Sequence, residues 1–358
     1  MLDDNQNAPG APGMPGKWTS SAKSGIGKSL SAFSQVSFTL SHGTVNEVYY
    51  PREDNACIRD MELLVTGGNG FFSEEKRDTL HETSMIEPGI PAYHTTNICK
   101  QNKYKIEKEI VTDSLRSTLL QKVRFIPLEG NRSDFNIYVL LAPHIGNFAM
   151  DNTAWLGEYK GISMLYARRD GVTLALACSH AWLKRSVGYV GISDGYQDIS
   201  IHKSMQCTYT LAENGNVALT AEIDMKMAGD EIIIALAFGR DEFEASQNAR
   251  ASLIEGFQSA KTTYVQQWRD WHKSITEIKL PGSLKADNLF RTSVAIMRMH
   301  EADRFPGGVI ASMSVPWGFN KGDEDIGGYH LVCPRDRVLC TGAFIAFDAQ
   351  QDALRVLT

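Results

Sequence analysis

Residues 217–227 read VALTAEIDMKM, a run in which apolar side chains occupy every second position. The apolar positions are Val217, Leu219, Ala221, Ile223, Met225 and Met227, and the polar positions among them are Thr220, Glu222, Asp224 and Lys226. An alternation of period two places the apolar set on one face of a β-strand and the polar set on the other. The run therefore predicts a half-buried strand in an antiparallel sheet.

Similar patterns recur throughout the part of the chain before residue 240. Residues 104–110 alternate, whereas 119–127, 135–143, 172–178 and 230–238 are more continuously apolar, as expected of strands covered on both faces. Turn-forming Gly and Asn residues at 67–70, 130–131 and 213–216 separate these runs. We predict an antiparallel β-sandwich over residues 17–240, preceded by a flexible segment over residues 1–16.

The spacing of apolar residues becomes helical near residue 240. Residues 241–271 carry apolar side chains three and four positions apart, with an interruption expected at Gly256. A turn at 280–283 ends this region, so we place a helical linker at 241–280 and expect Ser283 to cap the next helix. Helices are predicted over 284–303 and 338–357. The first of these is predicted to bury Leu289, Val294, Ile296 and Met297.

Composition limits the size and the partners of the protein. The chain has 358 residues, 43% of them hydrophobic and 22% charged, which is enough for two domains. Its net charge of -6 argues against nucleic acid or an anionic membrane as a partner, because both attract clustered Lys and Arg. We find no signal peptide and no apolar run long enough to span a membrane. The chain as given is therefore expected in the cytoplasm, or in the periplasm or outside the cell if an export signal is missing.

The six cysteines are expected to be free thiols that are mostly buried. They lie at positions 57, 99, 178, 207, 333 and 340, without the spacing of a metal site or a disulfide framework. The chain also lacks the G-x-S-x-G, phosphate-loop and paired C-x-x-C motifs. These absences leave serine-nucleophile, nucleotide-binding and zinc interpretations without support.

Residues 307–336, which read GGVIASMSVPWGFNKGDEDIGGYHLVCPRD, contain the candidate site residues. Arg335 and Asp336 combine a donor fork with an acceptor, which suits the neighbouring hydroxyls of a sugar. Trp317 offers an apolar face for a pyranose ring, although a Trp in such a loop is as often a packing anchor. The alternative for Arg335 and Asp336 is an ordinary ion pair, with Asp336 capping a helix that starts near Val338.

The acidic residues of the same loop allow two interpretations. Asp323, Glu324 and Asp325 could supply oxygen ligands to calcium, a hard cation. The loop lacks the rest of an EF-hand pattern, so solvated or turn-capping side chains are favoured and no metal or other cofactor is expected.

Two ordered motifs resemble a known family. The first is Ser314, Pro316, Trp317, Gly318, then Gly322-Asp323, then the run GGYHLVCPRD at 327–336. The second is APGAPG at 8–13, Trp18, the run GTVNEVYYP at 43–51, and Arg59-Asp60. The chain resembles the bacterial branch of glycoside hydrolase family 15, the glucoamylases and glucodextranases. It departs from the family at Cys333, where members usually have Trp.

The resemblance implies a fold and a reaction. The fold is a β-sandwich of the galactose-mutarotase-like supersandwich type, followed by a helical linker and an (α/α)6 catalytic barrel that here begins at 281 and is incomplete at 358. The reaction is exo-acting, inverting hydrolysis that releases β-glucose from the non-reducing ends of α-glucans, without preference implied between α-1,4 and α-1,6 links. Both catalytic glutamates of the family lie on later barrel loops, so the chain alone is expected to be inactive.

The resemblance also assigns roles to individual residues. Arg335 and Asp336 match the pair that contacts the terminal glucose. The turn containing Tyr49 and Tyr50 is expected to reach over the mouth of the barrel. The alternative is that these two tyrosines are ordinary strand residues on opposite faces. His330 is expected to be a hydrogen-bonded loop residue, since the family uses glutamates for proton transfer. Two other functions stay open: a non-catalytic glucan-binding or structural module, and a phosphorylase of the same architecture.

Overall fold

The computed structural model describes residues 7–276, 286–315 and 317–358. Its strands β1–β17 are, in chain order, Gly25–Lys28, Ser37–Ser41, Thr44–Tyr49, Ala56–Gly67, Phe71–Glu74, Thr79–Glu87, Ile90–Cys99, Tyr104–Thr112, Thr118–Pro127, Phe135–Pro143, Asn152–Tyr159, Ile162–Arg169, Val172–Cys178, Trp182–Tyr189, Leu211–Gly215, Val217–Ile223 and Ile232–Gly239. Its helices α1–α7 are Glu75–Asp78, Gly195–His202, Glu242–Glu255, Phe257–Lys273, Ala286–Met299, Pro334–Ala346 and Gln350–Leu357.

The strands of the described residues form two antiparallel sheets that face each other. The eight-stranded sheet has the order β1-β2-β3-β4-β10-β16-β14, with β5 paired to β4, and the nine-stranded sheet has the order β15-β11-β12-β13-β17-β9-β8-β7-β6. The largest hydrophobic core lies between them, where Tyr104, Phe125 and Phe135 pack ring against ring. The predicted antiparallel sandwich is confirmed. The predicted strands 135–143 and 172–178 coincide with β10 and β13.

Strand β16 contains the alternating run that indicated the fold, but both of its faces are buried. Thr220 and Glu222, predicted to face solvent, are both buried, and α2 packs on Thr220. A Cβ atom on Gly195 in α2 would lie 2.4 Å from Oγ1 of Thr220, so only glycine allows this approach. The strand also ends at Ile223, and Met227 is exposed in the turn that follows.

Helices α3 and α4 cover the outer face of the nine-stranded sheet. Gly256 separates them with a φ of 88°, a left-handed conformation that favours glycine, so the predicted interruption is confirmed. Tyr264 and Trp268 of α4 are completely buried against the sheet. The predicted turn at 280–283 and the N-cap at Ser283 lie outside the described residues.

Helix α5 buries a different stripe from the one predicted. Val294 is buried as expected, and Met297 is partly buried. Leu289 is 66% exposed and Ile296 is also exposed, so their predicted burial is wrong. The packed side of α5 instead carries Phe290, Val294, Ala295 and Met299, which contact α4, α6 and α7 through shared clusters.

The last predicted helix is two helices. Asp348 adopts a left-handed φ of 62° between α6 and α7, which ends the first helix and turns the chain back on itself. The guanidinium Nε of Arg337 donates to the Val356 carbonyl at 3.1 Å and holds the two helices together. Helix α6 begins at Pro334, four residues before the predicted start, because proline is well suited to the first position of a helix.

The described part of the N-terminal segment lies on the sandwich. The Ala8 amide donates to the Leu211 carbonyl at 2.8 Å, and the Met14 amide donates to the Val190 carbonyl at 3.0 Å. The predicted domain boundaries at 16, 240 and 280 stay predictions. Among the described residues, no helix combines the length and the hydropathy needed to cross a membrane.

Candidate functional site

The loop between α5 and α6 packs against the eight-stranded sheet at Tyr49, the last residue of β3. The Tyr49 hydroxyl donates to the Met313 carbonyl at 3.2 Å, and Nε2 of His330 lies 3.2 Å from the same hydroxyl oxygen. Trp18 and Val315, both fully buried, complete this cluster. The contacts fix the loop before it reaches Arg335 and Asp336.

His330 is a buried, neutral member of this contact. Burial lowers its pKa to about 4, with smaller contributions from neighbouring charges. Its imidazole is therefore uncharged at neutral pH and can exchange a hydrogen bond with the Tyr49 hydroxyl. This position fits the hydrogen-bonded loop residue that was predicted.

Asp323 attaches the acidic turn of the loop to the sandwich. Its Oδ2 atom accepts a hydrogen bond from the Ala149 amide at 2.7 Å and lies 3.5 Å from Nε2 of His144. Burial, assisted by the positive charge of Arg59, lowers the pKa of His144 to about 3. His144 is thus neutral, and its ring packs beside Trp18 at a centroid distance of 4.3 Å.

Trp317 lies on the same loop with its ring already in contact with a cation. Its Nε1 donates to Oδ1 of Asp325 at 2.8 Å, and Nζ of Lys321 lies 4.3 Å from the ring centroid. Lys321 also donates to Oδ2 of Asp325 at 2.5 Å and, as the leading cause, lowers the pKa of that carboxyl. Trp317 is therefore held in place, and one face of its ring is occupied by Lys321.

Asp323 and Asp325 bind different partners, and Glu324 is exposed beside them. Within 7–276, 286–315 and 317–358, no group of three or more acidic, His or Cys side chains is placed to hold a metal ion.

Arg335 and Asp336 lie in the first turn of α6. The Arg335 side chain is 81% exposed, and its Nε lies 3.3 Å from Oδ1 of Asp336. Cys333 is the N-cap residue, so Asp336 sits inside the helix rather than at the cap position considered as the alternative. A carboxylate in the first turn complements the positive end of the helix dipole.

Asp336 also lines a groove between α5 and α6 with a volume of about 310 Å³. His300, Ile310 and Cys340 contribute to its wall, together with apolar side chains of both helices. Nδ1 of His300 lies 2.7 Å from the Ile296 carbonyl, and burial lowers the pKa of this imidazole. One carboxylate among apolar walls can orient a ligand by accepting hydrogen bonds from it. No sequence pattern singled out His300 or Cys340.

Tyr50 points into the sandwich core, away from Tyr49. Its ring stacks on Phe238 at a centroid distance of 5.3 Å, and only 6% of the residue is exposed. Burial raises its pKa to about 12. The candidate residues thus lie in three different surroundings: Tyr50 in the sandwich core, Trp317 beside Asp325 and Lys321 in the loop, and Arg335 with Asp336 in the first turn of α6.

Comparison with known proteins assigns the chain to a family. Residues 8–273 match the family model described as "Glucodextranase, domain N". A glucoamylase from Clostridium sp. (strain G0005) is 35% identical over 354 residues, which is 99% of this chain and 50% of the relative. The chain belongs to the bacterial glucoamylase and glucodextranase family. The resemblance inferred from the sequence motifs is confirmed.

The fold of this glucoamylase-family chain agrees with that of a crystal structure of a bacterial glucoamylase complexed with acarbose. The TM-score is 0.93 at 33% identity, over 99% of this chain and 52% of the other. The chain therefore spans about half the length of both relatives.

A second buried contact joins the sandwich and the helices of the glucoamylase-family chain. Nζ of Lys28 lies 3.1 Å from Oε1 of Glu53 and 2.6 Å from Oδ1 of Asp303, and it also donates to the Glu301 carbonyl. Burial raises the pKa of Asp303 to about 6. Sequence reasoning missed this cluster because 275 positions separate Lys28 from Asp303.

Proposed function

We propose that this chain is part of an exo-acting glucoamylase-type hydrolase that releases β-glucose from the non-reducing ends of α-glucans. The observation that carries the proposal is the similarity to a glucoamylase over 99% of the chain. The relative of similar fold was crystallised with acarbose, an oligosaccharide, which supports an α-glucan as the substrate.

The proposed reaction inverts the anomeric centre. Inversion needs one carboxylic acid that protonates the leaving oxygen and one carboxylate that activates water, with the two groups ~6.5–9.5 Å apart. By the family resemblance, both are glutamates on barrel loops outside the 358 residues. We therefore propose that these 358 residues alone do not hydrolyse glucan. We propose that the reaction needs no cofactor, because one carboxylic acid gives its proton to the leaving oxygen and the other carboxylate takes a proton from the attacking water.

Within the proposed site, Arg335 and Asp336 hold the hydroxyls of the terminal glucose. Arg335 is exposed and has donors to offer, and Asp336 presents an acceptor at the groove of α5 and α6. Trp317 is proposed to contribute to substrate binding by holding the loop between α5 and α6 through its hydrogen bond to Asp325. Tyr50 is proposed to contribute by holding the end of β3 in place through its contact with Phe238.

The test compares the chain alone with the chain joined to the C-terminal half of the Clostridium glucoamylase. Glucose release from maltooligosaccharides is measured after removal of contaminating amylase, and the anomer is read by NMR immediately after cleavage. We expect no release by the chain alone and β-glucose from the joined protein.

Three results would contradict the proposal. Glucose release by the chain alone would place a catalytic pair inside these residues. Release of α-glucose by the joined protein would contradict inversion. Formation of a sugar phosphate in the presence of phosphate, without hydrolysis in its absence, would indicate a phosphorylase.

A further inference from the structure

A second groove lies on the nine-stranded sheet, away from Asp336. It is bordered by the turn between β12 and β13, by the end of β15 and by the first residues of α3. Its volume of about 680 Å³ falls within the ~300–1,000 Å³ typical of ligand sites. Its lining shares no residue with the Asp336 groove.

Two aromatic rings are presented in this groove. Trp155 of β11 stacks on its cross-strand neighbour Tyr166 at a centroid distance of 5.3 Å and an interplanar angle of 14°. The Tyr166 hydroxyl lies 2.8 Å from Oγ of Ser246 in α3, so the indole rests on a support that is itself fixed. Phe243, near the start of α3, is 70% exposed beside it. A ring held as Trp155 is offers apolar surface to a ligand at low entropic cost.

One guanidinium of the groove has donors that are free to bind a ligand. The Arg168 guanidinium carbon lies 5.5 Å from the Trp155 ring centroid. In the part of the chain that the structure describes, the guanidinium of Arg168 forms no hydrogen bond or ion pair within the protein, although the backbone of Arg168 belongs to β12. Asn214 and Asp241 border the same space and add amide and carboxylate groups. Together they supply donors and acceptors at the edge of an aromatic platform.

The charges of the groove nearly cancel. Its lining has four carboxylates, at Asp151, Asp170, Asp241 and Glu242, and three guanidiniums, at Arg168, Arg169 and Arg240. A phosphorylated or other anionic ligand would meet the carboxylates, and a cation would meet the guanidiniums. The balance favours a neutral ligand with many hydroxyls.

We propose that this groove is a non-catalytic binding site for an α-glucan segment. The apolar C–H face of a pyranose packs on Phe243 and on the part of the Trp155 ring that Tyr166 and Arg168 leave uncovered, while Arg168, Asn214 and Asp241 bind its hydroxyls. The choice of an α-glucan rests on the proposed function, since a long polymeric substrate gains from a second attachment point on the sandwich.

The test is affinity electrophoresis of the 358-residue chain through native gels that contain amylopectin or dextran. Amylopectin presents mainly α-1,4 links and dextran mainly α-1,6 links, so the two gels distinguish the sources of glucan. The variants are Trp155→Ala, Trp155→Phe, Arg168→Ala and Phe243→Ala. The matched control is Phe33→Ala, because Phe33 is 74% exposed and does not line the groove. Thermal unfolding of each variant verifies that the fold persists.

We expect the native chain to be retarded in at least one gel. Loss of an aromatic contact should weaken binding about two- to tenfold for Trp155→Ala and Phe243→Ala, with partial recovery in Trp155→Phe and no effect of Phe33→Ala. Retardation that is equal in Phe33→Ala and Phe243→Ala, or absent from both gels, overturns the proposal.

Failure of this site is distinguishable from failure of the proposed function. If Asp336→Asn abolishes retardation while Trp155→Ala leaves it intact, glucan binds at α5 and α6 only, and the groove proposal is wrong although the proposed function stands. If the native chain binds a protein from the same cell through this groove but is retarded by neither glucan, the groove is a protein interface. The proposal is then likewise wrong.

Discussion

The phenol oxygen of Tyr49 and Nε2 of His330 lie 3.2 Å apart, although 281 positions separate the two residues in the chain. Tyr49 ends a strand of the sandwich, and His330 lies in the loop that leads into α6. Both side chains are buried, and burial keeps the imidazole neutral. The contact therefore links the position of the candidate sugar site to the protonation state of a histidine.

Acid should destabilise the protein through His330. Its folded-state pKa of about 4 lies below the ordinary value of 6.5, so the folded state binds fewer protons than the unfolded state between these values. The stabilisation is fully present above pH 6.5 and is lost as the pH falls toward 4, by about 3 kcal/mol. Urea unfolding measured across this pH range gives the loss of unfolding free energy.

Two variants separate the imidazole from the rest of the contact. His330→Gln keeps a hydrogen-bonding group but removes the titration, so its stability should fall less steeply with acid than that of the native chain. Tyr49→Phe removes the hydroxyl and keeps the buried imidazole, so its acid dependence should persist. If the unfolding free energy of His330→Gln depends on pH as steeply as that of the native chain, then other groups, such as His144, cause the loss of stability in acid.

The fold was predictable wherever a local pattern determined it. Strand β10 was predicted to the residue, because residues 135–143 form one continuous apolar run between turns. The burial of Thr220 was not predictable, because it depends on α2, which packs on β16 from a separate part of the chain. The exposure of Leu289 was likewise decided by which neighbours α5 meets, and not by its own spacing.

Of the contacts at the candidate site, the sequence indicated only the one between adjacent residues, the ion pair of Arg335 with Asp336. The hydrogen bond from Trp317 to Asp325, eight positions later, was not predicted. The contacts that position them, such as His330 with Tyr49, join residues that are far apart. No local pattern records such a contact.

Substitution of Lys28 should strongly destabilise the buried contact between the sandwich and the helices. Lys28→Met leaves Glu53 and Asp303 without their cation in a buried environment, which typically costs ~3–5 kcal/mol. The exposed pair Arg52-Asp54 provides the control, because Arg52→Met should cost no more than ~1 kcal/mol. Chemical unfolding of both variants at neutral pH checks the difference, and similar losses would mean that the buried cluster adds little stability.

The outer faces of α6 and α7 should make the 358-residue chain self-associate. Val338 and Ile345 are exposed two helical turns apart on α6, and Leu354 and Leu357 are exposed on α7. Apolar surface of this extent favours association in water. Sedimentation velocity at increasing concentration should show dimers or larger species.

The double variant Val338→Lys/Ile345→Lys should shift the sedimentation profile to monomer. Leu183→Lys serves as the control, because Leu183 is an exposed apolar residue on the sandwich. A chain that ends near residue 278 should also be monomeric. Monomeric behaviour of the native chain at every concentration would contradict the prediction.

Asp336→Asn should impair catalysis in the protein formed by joining this chain to the C-terminal half of the Clostridium glucoamylase. The substitution keeps the size of the side chain but removes the charged acceptor at the groove of α5 and α6. A charge-assisted hydrogen bond is worth ~1.5–3 kcal/mol, which corresponds to a loss of about one to two decades in kcat/KM. Steady-state kinetics on maltooligosaccharides measures this loss.

Two further variants show whether the effect belongs to the sugar site. Asp348→Asn removes an acidic group from the turn after α6, outside the groove, and should leave kcat/KM unchanged. Cys333→Trp should raise kcat/KM by giving the sugar ring a stacking wall. An Asp336→Asn variant with native kcat/KM and a lowered Tm would show that Asp336 acts on the helix dipole of α6, and that its pairing with Arg335 is structural.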